Sequence, residues 1–351
     1  DILSTSGNEY NFLFIAKGGG SANKSFFYQA TPSVIRTQSL LDYIGPFIKQ
    51  IGTAACPPYH LAVVVGGTSA ELNMKTLKLA TCKYLDNLPL SGNVKGRAFR
   101  DIESENIIFE FTKKIGIGAQ FGGTYFCHDV RVIRLPRHGA SLPISIGVSC
   151  GADRQARAKI NAQGVFLENL ERNPSKYLPN IKIENLSKSE VNIDLNLSVD
   201  EICNILSKHP IKTKIILNGP MIVARDIAHG KMKDYLTKNG KLPDYFKNFP
   251  IYYAGPAKTP KGMQTGSFGP TTAGRMDGYV EMFQKHGASR IMLAKGNRSK
   301  IVKDSCKKYN GFYLGSIGGP GAILAQNNIK TVDCIKFPEL GMEAIWKIEV
   351  V

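Results

Sequence analysis

The chain reads as α/β, built as two mixed α/β domains with the active site expected in the cleft between them. Three observations point there. Short apolar runs, including the one that ends at Lys17, Leu61–Val65, Lys212–Leu217, Ile251–Ala254 and Arg290–Ala294, alternate with stretches of helical periodicity. A polar, proline-punctuated stretch over 169–195 separates two such series. A length of 351 residues also exceeds one ordinary domain. The expected boundaries are a first domain over 1–175, a linker over 176–195 and a second domain over 196–351.

Composition narrows the class. Hydrophobic content of 43% with 21% charged residues is that of a globular protein with an ample core. No segment approaches the ~20 apolar residues of a membrane span. No signal or transit sequence is visible, and the chain opens on Asp1 rather than Met, so any leader would lie upstream. Seven cysteines, odd in number and scattered, argue against a disulfide framework and for a reducing compartment. The net charge of +17 suits nucleic acid, a membrane surface or small polyanions. It is spread along the chain instead of gathered in runs, and there is one Trp, so small di- or tricarboxylates fit at least as well.

Taken in order, the first strand runs into Lys17-Gly18-Gly19-Gly20 and ends its polar tail at Lys24, a candidate anion-binding nest. Residues 37–51 carry an amphipathic helix expected to break at Pro46. Cys56 follows in Gly52–His60, just before two prolines. It is either a packed structural cysteine or a thiolate that stiffness pre-orients. His60 is read as packing rather than ligating. Helical periodicity covers 70–88 and 101–114, the second with acidic residues at its start. Four glycines within Gly116–Gly123 then lead into a β-rich segment carrying Arg131, Arg134, Arg137 and His138, and an apolar run reaches Cys150 between Ser149 and Gly151. Glycines, clustered cations, a histidine and a cysteine are what a site for a small anion beside a metal would use. Beyond it, Asp153, Arg154, Arg157 and Lys159 sit at helical spacing and read as a solvated face.

In the second series Ser198–Glu201 fits a capping box. The strand Lys212–Leu217 ends in Asn218-Gly219-Pro220 and feeds a helix with Arg225 in its early turns. Gly266–Asp277 repeats the design with Thr271 and Thr272 as a cap and Arg275 beyond, so that helix-start N–H groups and a guanidinium converge on one carboxylate. Arg290–Ala294 delivers Lys295. These cations belong on one rim of a sheet, where α/β proteins gather ligands. Gly311–Gly321 reads as a glycine-rich turn and Ile345–Val350 as the strand that closes the sheet. Cys306, in a lysine-rich helix, and Cys334, in an apolar strand, read as structural.

The blocks Lys17–Lys24, Gly52–His60, Gly116–Cys150, Ala224–His229, Gly269–Asp277 and Ala294–Gly296 together resemble the class I, iron–sulfur-dependent fumarate hydratases, over essentially the whole chain and in family order. The fused halves and the composition look like the single-chain enzymes of protists. The resemblance implies reversible hydration of fumarate to (S)-malate in the tricarboxylic acid cycle, with a [4Fe–4S] cluster held by three cysteines as Lewis acid. It matches Cys56 and Cys150 to the second and third ligands, and Gly20 to a backbone contact with substrate. His138 matches a cluster-side histidine, Arg225, Arg275 and Lys295 the cations that grip the two carboxylates, Thr271 the proton-transfer residue and Thr272 a neighbouring binding group. The family's N-terminal segment, with its first cysteine followed by glutamine and aspartate, has no counterpart ahead of Cys56. Cys82 and Cys127 lack that motif, so the chain alone is expected to offer two of three ligands and to be inactive unless another thiol substitutes. A homodimer without nucleic-acid or membrane partners is implied, mitochondrial or cytoplasmic, the former preferred. The alternatives are tartrate dehydration or mesaconate hydration on the same scaffold and, of another class, a non-catalytic basic binding protein derived from the enzyme.

Overall fold

The computed structural model describes residues 2, 4–177 and 190–351. They form two compact units. Among the described residues the first unit covers those up to 177 and the second those from 190, except that Gln120–Gly122 group with the second. Residues 178–189, most of the expected linker, lie outside the described residues.

The first unit carries β1 (Tyr10–Ala16), α1 (Gly19–Ala22), β2 (Ser25–Ala30), α2 (Thr37–Ile51), β3 (Tyr59–Gly67), α3 (Ala70–Thr81), β4 (Phe99–Arg100), α4 (Ile102–Lys114), β5 (Cys127–Arg137), β6 (Leu142–Cys150), β7 (Arg154–Asn161) and β8 (Gly164–Leu167). Five strands pair in the order β2-β6-β3-β5-β4, with β3 parallel to β5 and antiparallel to β6. β3 is apolar at consecutive positions because both faces of the sheet are covered. Leu61, Val63 and Val65 pack with Leu40, Ile44 and Ile48 of α2 and Ile108 of α4. Ala62 and Val64 turn to the opposite face, onto Leu77 and Ala80 of α3.

Three expectations change here. α2 runs straight through Pro46. Leu40, Ile44, Ile48 and Ile51 are all buried along it, and their burial offsets the roughly 3 kcal/mol that a mid-helix proline costs. α3 ends at Thr81, short of the expected residue 88. The charged segment after Cys150 is not a helix face but the strand β7, paired in antiparallel register with β1 from Tyr10↔Ile160 to Ala16↔Arg154. Its charges fit spacings of two as well as three or four, and pairing with a strand far away in sequence decided between them.

The second unit carries β9 (Val191–Asp194), α5 (Val199–Ser207), β10 (Ile215–Val223), α6 (Asp226–Asn239), α7 (Asp244–Asn248), β11 (Ile251–Tyr252), α8 (Asp277–Lys285), β12 (Ile291–Ala294), α9 (Lys300–Tyr309), β13 (Phe312–Gly315), α10 (Gly321–Asn327), β14 (Ile329–Lys336) and β15 (Ile345–Val350). The sheet order is β13-β12-β11-β10-β15-β14, with β9 also on β10. β10, β11, β12 and β13 are parallel, so their C-terminal ends share one edge. α5 starts on the expected capping box of Ser198 and Glu201. β10, however, continues through Asn218-Gly219-Pro220 to Val223, and α6 begins only at Asp226 with Arg225 at its N-cap. The expected glycine turn of Gly311–Gly321 contains β13, and β15 lies inside the sheet between β10 and β14. Cys334 lies on β14 but is exposed. No helix among the described residues is long and apolar enough to cross a membrane.

The core of this unit encloses His229 among the rings of Phe246, Tyr253, Tyr279 and Phe283. Its Nδ1 lies 3.1 Å from the Arg225 carbonyl, and burial pushes its pKa down to about 4 from 6.5. Between those values the unfolded ring takes up a proton that the folded ring refuses, so stability is full above 6.5 and falls as pH drops toward 4. Chemical denaturation across that range should show a loss of up to about 3 kcal/mol. His229→Gln should flatten the slope.

Candidate active site

In the first unit a thiol corner forms where strands end. Cys150 closes β6 and pairs with Tyr59 at the start of β3, which pairs in turn with Cys127 at the start of β5. The three side chains therefore form a row on one face. Cys56 precedes this row in the left-handed region at φ 68, a conformation that non-glycine residues adopt mostly at special positions. The Tyr59 hydroxyl donates 2.9 Å to the Gly52 carbonyl and ties the Cys56 loop down. Burial, and then the thiols of Cys56, Cys127 and Cys150 within electrostatic reach, push the Tyr59 phenol far above its ordinary pKa.

The triple glycine meets the same corner. Ser21 Oγ lies 3.6 Å from Cys150 Sγ, and the position a Gly20 side chain would take is 3.9 Å from the Ala54 carbonyl. Gly20, Ser21, the Cys56 loop and Cys150 are thus brought together. The open nest is not formed. Ser21, Ala22 and Asn23 donate their N–H groups back to Gly18 and Gly19 in the short turn α1, and Lys17 donates to Thr81 at 2.7 Å.

Other predicted members are placed elsewhere. His138 sits in the exposed turn between β5 and β6, the length of β6 from Cys150, about 27 Å at ~3.3 Å per residue. It is not brought to the thiols. Arg131 is held by Asp86 at 2.7 Å and Arg134 by Asp101 at 2.7 Å, while Arg137 donates to the carbonyls of its own turn. These arginines brace the fold and do not form an anion site. His60 is half-buried, with Nδ1 2.9 Å from Asp129 Oδ1. Burial opposes ionisation of Asp129, but the His60 hydrogen bond and the charges of His60, Arg131 and Lys83 bring its pKa down to about 2.

The two candidate substitute thiols differ in placement. Cys127 stays in the row beside Tyr59 but is packed in the core, where burial pushes its thiol well above the usual range. Cys82 lines a different cavity with His60, Lys83 and Asp153. None of the seven cysteines is in a disulfide. Among the described residues no group of three His, Cys, Asp or Glu is arranged to hold a metal ion. Cys56 and Cys150 are the two thiols that this corner shares with the triple glycine.

In the second unit the C-terminal ends of the parallel strands form a cation rim. Just past β11, the Tyr253 carbonyl accepts from Thr271 N–H at 2.6 Å, and the Thr271 carbonyl accepts from Lys295 N–H at 3.2 Å. Ala273 N–H donates to the Lys295 carbonyl at 2.8 Å. Thr271, Thr272 and Lys295 are held side by side. Ala273–Met276 is a 3-10 turn rather than the expected helix start, and Arg275 lies within it.

Arg225 donates from Nη1 to Thr271 Oγ1 at 3.3 Å and pairs through Nη2 with Glu343 at 2.5 Å. Arg275 pairs with Asp226 at 3.2 Å. Lys295 has no carboxylate partner among the described residues, and its stem crosses Gly318, where a Cβ would stand 2.8 Å from Lys295 Cδ and 3.0 Å from Nζ. Gly318 N–H donates to Gln120 Oε1 at 2.8 Å. Sequence reasoning missed Glu343, Gln120 and Gly318. Asp226 had a signal in its adjacency to Arg225, whereas Glu343 lies 118 positions from Arg225 and had none.

The family model described as fumarate hydratase (fumerase) matches residues 1–159, and that of the fumarase C-terminus matches residues 164–351. The chain is 60% identical over 350 residues to fumarate hydratase 2 of Leishmania major, covering 100% of this chain and 62% of that protein. It is 58% identical over 350 residues to the aerobic class I fumarate hydratase of Salmonella typhimurium, covering 100% of this chain and 60% of that protein. A putative L(+)-tartrate dehydratase subunit beta of Methanocaldococcus jannaschii is 39% identical over 140 residues, which is 39% of this chain and 71% of that protein. The chain spans about three fifths of the length of the first two relatives.

Gly318→Ala tests the rim. The added methyl displaces the Lys295 side chain, so calorimetric binding of a four-carbon dicarboxylate should weaken about tenfold, the scale of one charge-assisted hydrogen bond. The flexible end of Lys295 can swing aside, so the melting temperature should hold.

Proposed function

This chain belongs to the class I fumarate hydratase family, and we propose that it serves the reversible hydration of fumarate to (S)-malate. The observation that carries the proposal is Thr271. Its hydroxyl sits against the Arg225 guanidinium on a rim that Lys295 and Arg275 also line. A free threonine is a poor base, and adjacent cations favour its alkoxide electrostatically. In dehydration Thr271 takes the proton from the carbon beside the one bearing hydroxyl. The C–H electron pair becomes the C=C bond as hydroxide departs. In hydration Thr271 returns the proton. The dianion's carboxylates meet the rim cations, with Thr272 at their edge.

Cys56 and Cys150 would hold a [4Fe–4S] cluster as two of its thiolate ligands, and such a cluster supplies a Lewis-acidic iron that makes hydroxide a better leaving group. Gly20 lies beside those thiols, where its backbone can meet substrate. His138 is left out of this proposal because the first unit places it far from Cys150. Tartrate dehydratase is the weaker reading, since its putative beta and alpha subunits are only 39% and 32% identical to parts of the chain, against 60% and 58% over the whole of it for the two fumarate hydratases.

Anaerobic reconstitution with iron and sulfide, followed at about 240 nm, where conjugated unsaturated diacids absorb, tests the proposal. Fumarate should be turned over in preference to tartrate and mesaconate. Thr271→Ala should lose about 10²–10⁴-fold in turnover, the range for a positioned acid–base group. Cys56→Ser and Cys150→Ser should each reduce bound iron. A threonine variant with full activity, or unchanged iron in both serine variants, would remove the corresponding assignment.

A further inference from the structure

Glu343 ends the 3-10 stretch Pro338–Glu343, and both its oxygens are engaged. Oε1 pairs with Arg225 Nη2 at 2.5 Å, and Oε2 accepts from Ile227 N–H at 3.1 Å in the first turn of α6. The pair is largely buried, the side chains being 18% exposed for Arg225 and 15% for Glu343. The segment can press this close only because residue 255 is glycine: a Cβ there would stand 2.2 Å from the Met342 carbonyl and 3.2 Å from Arg225 Nε. Arg225 is thereby held through Nη2, and Nη1 donates to Thr271 Oγ1.

A guanidinium grips a carboxylate best with two parallel N–H groups. Here Glu343 takes one N–H group, on Nη2, while Nε is buried with no hydrogen-bond partner among the described residues. We infer that Glu343 is a positioning residue that fixes the Arg225 guanidinium against the Thr271 hydroxyl, so that this one rim cation also serves proton transfer at Thr271. This rests on the hydratase reading above. Glu343 touches no reacting atom. It acts by holding the cation that favours the Thr271 alkoxide, at the short range where misplacement by about 1 Å costs on the order of 10²-fold.

The test is Glu343→Gln in the holoenzyme. Turnover should fall by about 10–10²-fold while KM for fumarate and its calorimetric affinity stay within about twofold. The isotope effect with malate deuterated at the carbon that loses its proton should rise, because proton transfer has been slowed selectively. Glu343→Asp, which keeps the charge on a shorter arm, should recover part of the loss. In a Thr271→Ala background, Glu343→Gln should cost little more, since coupled residues are not additive. A raised KM with intact turnover, an unchanged isotope effect, or full additivity with Thr271→Ala would overturn the inference. If Glu343→Gln does not fold, the aspartate variant and its cycle with Thr271→Ala decide in the same way. Wild-type enzyme that turns over none of the diacids would instead overturn the hydratase reading, whereas turnover with insensitivity at Glu343 overturns only the inference.

Discussion

The cation rim hangs on a backbone stitch one residue wide. Thr271 donates its N–H to the Tyr253 carbonyl and accepts from the Lys295 N–H, so it bridges the chain just past β11 to the chain just past β12. Two main-chain hydrogen bonds in a mostly buried setting fix its position more tightly than side-chain contacts could, because a buried peptide group left unpaired is costly. With Thr271 fixed, Arg225 at the end of β10 has a definite partner, and the Lys295 stem is confined against Gly318. The parallel sheet is what makes this possible. Only parallel neighbours present successive C-terminal ends, and the loops that leave them, on one edge.

Charge is distributed in a way that the total of +17 conceals. In the first unit Arg100, Arg131 and Arg134 are each matched to a carboxylate near the sheet edge, and their role is structural. At the rim Arg225 and Arg275 are matched too, by Glu343 and Asp226. Such partners fix the orientation of a guanidinium and offset part of its field. Lys295, with no carboxylate among the described residues, supplies the rim's uncompensated charge.

The candidate site was readable in part. Cys56, Cys150, Gly20, Thr271, Arg275 and Lys295 each stand beside a glycine, a proline or a strand end, with Thr272 and Arg225 one residue further, and those local signs survive in a bare sequence. The structure gathers Gly20, Cys56 and Cys150 in the first unit and the rim residues in the second. The resemblance alone matches His138 to a role beside the cluster, and in the first unit the nine-residue strand β6 stands between it and Cys150. Arg131 and Arg134 misled. Their clustering suggested an anion site, whereas their partners Asp86 and Asp101 come from other elements.

The sequence by itself determined the α/β class, the capping box of α5, the apolar β3 core and the residues at strand ends, because these depend on periodicity and on contacts a few positions apart. The tertiary structure decided the rest. It turned 154–161 into a strand by pairing it with β1, carried α2 through Pro46 by burying its apolar face, and set β15 inside its sheet. It also delivered Glu343 to Arg225 across 118 positions. Pairings over such separations leave no local trace, since their energy comes from surfaces that meet only once the chain has folded.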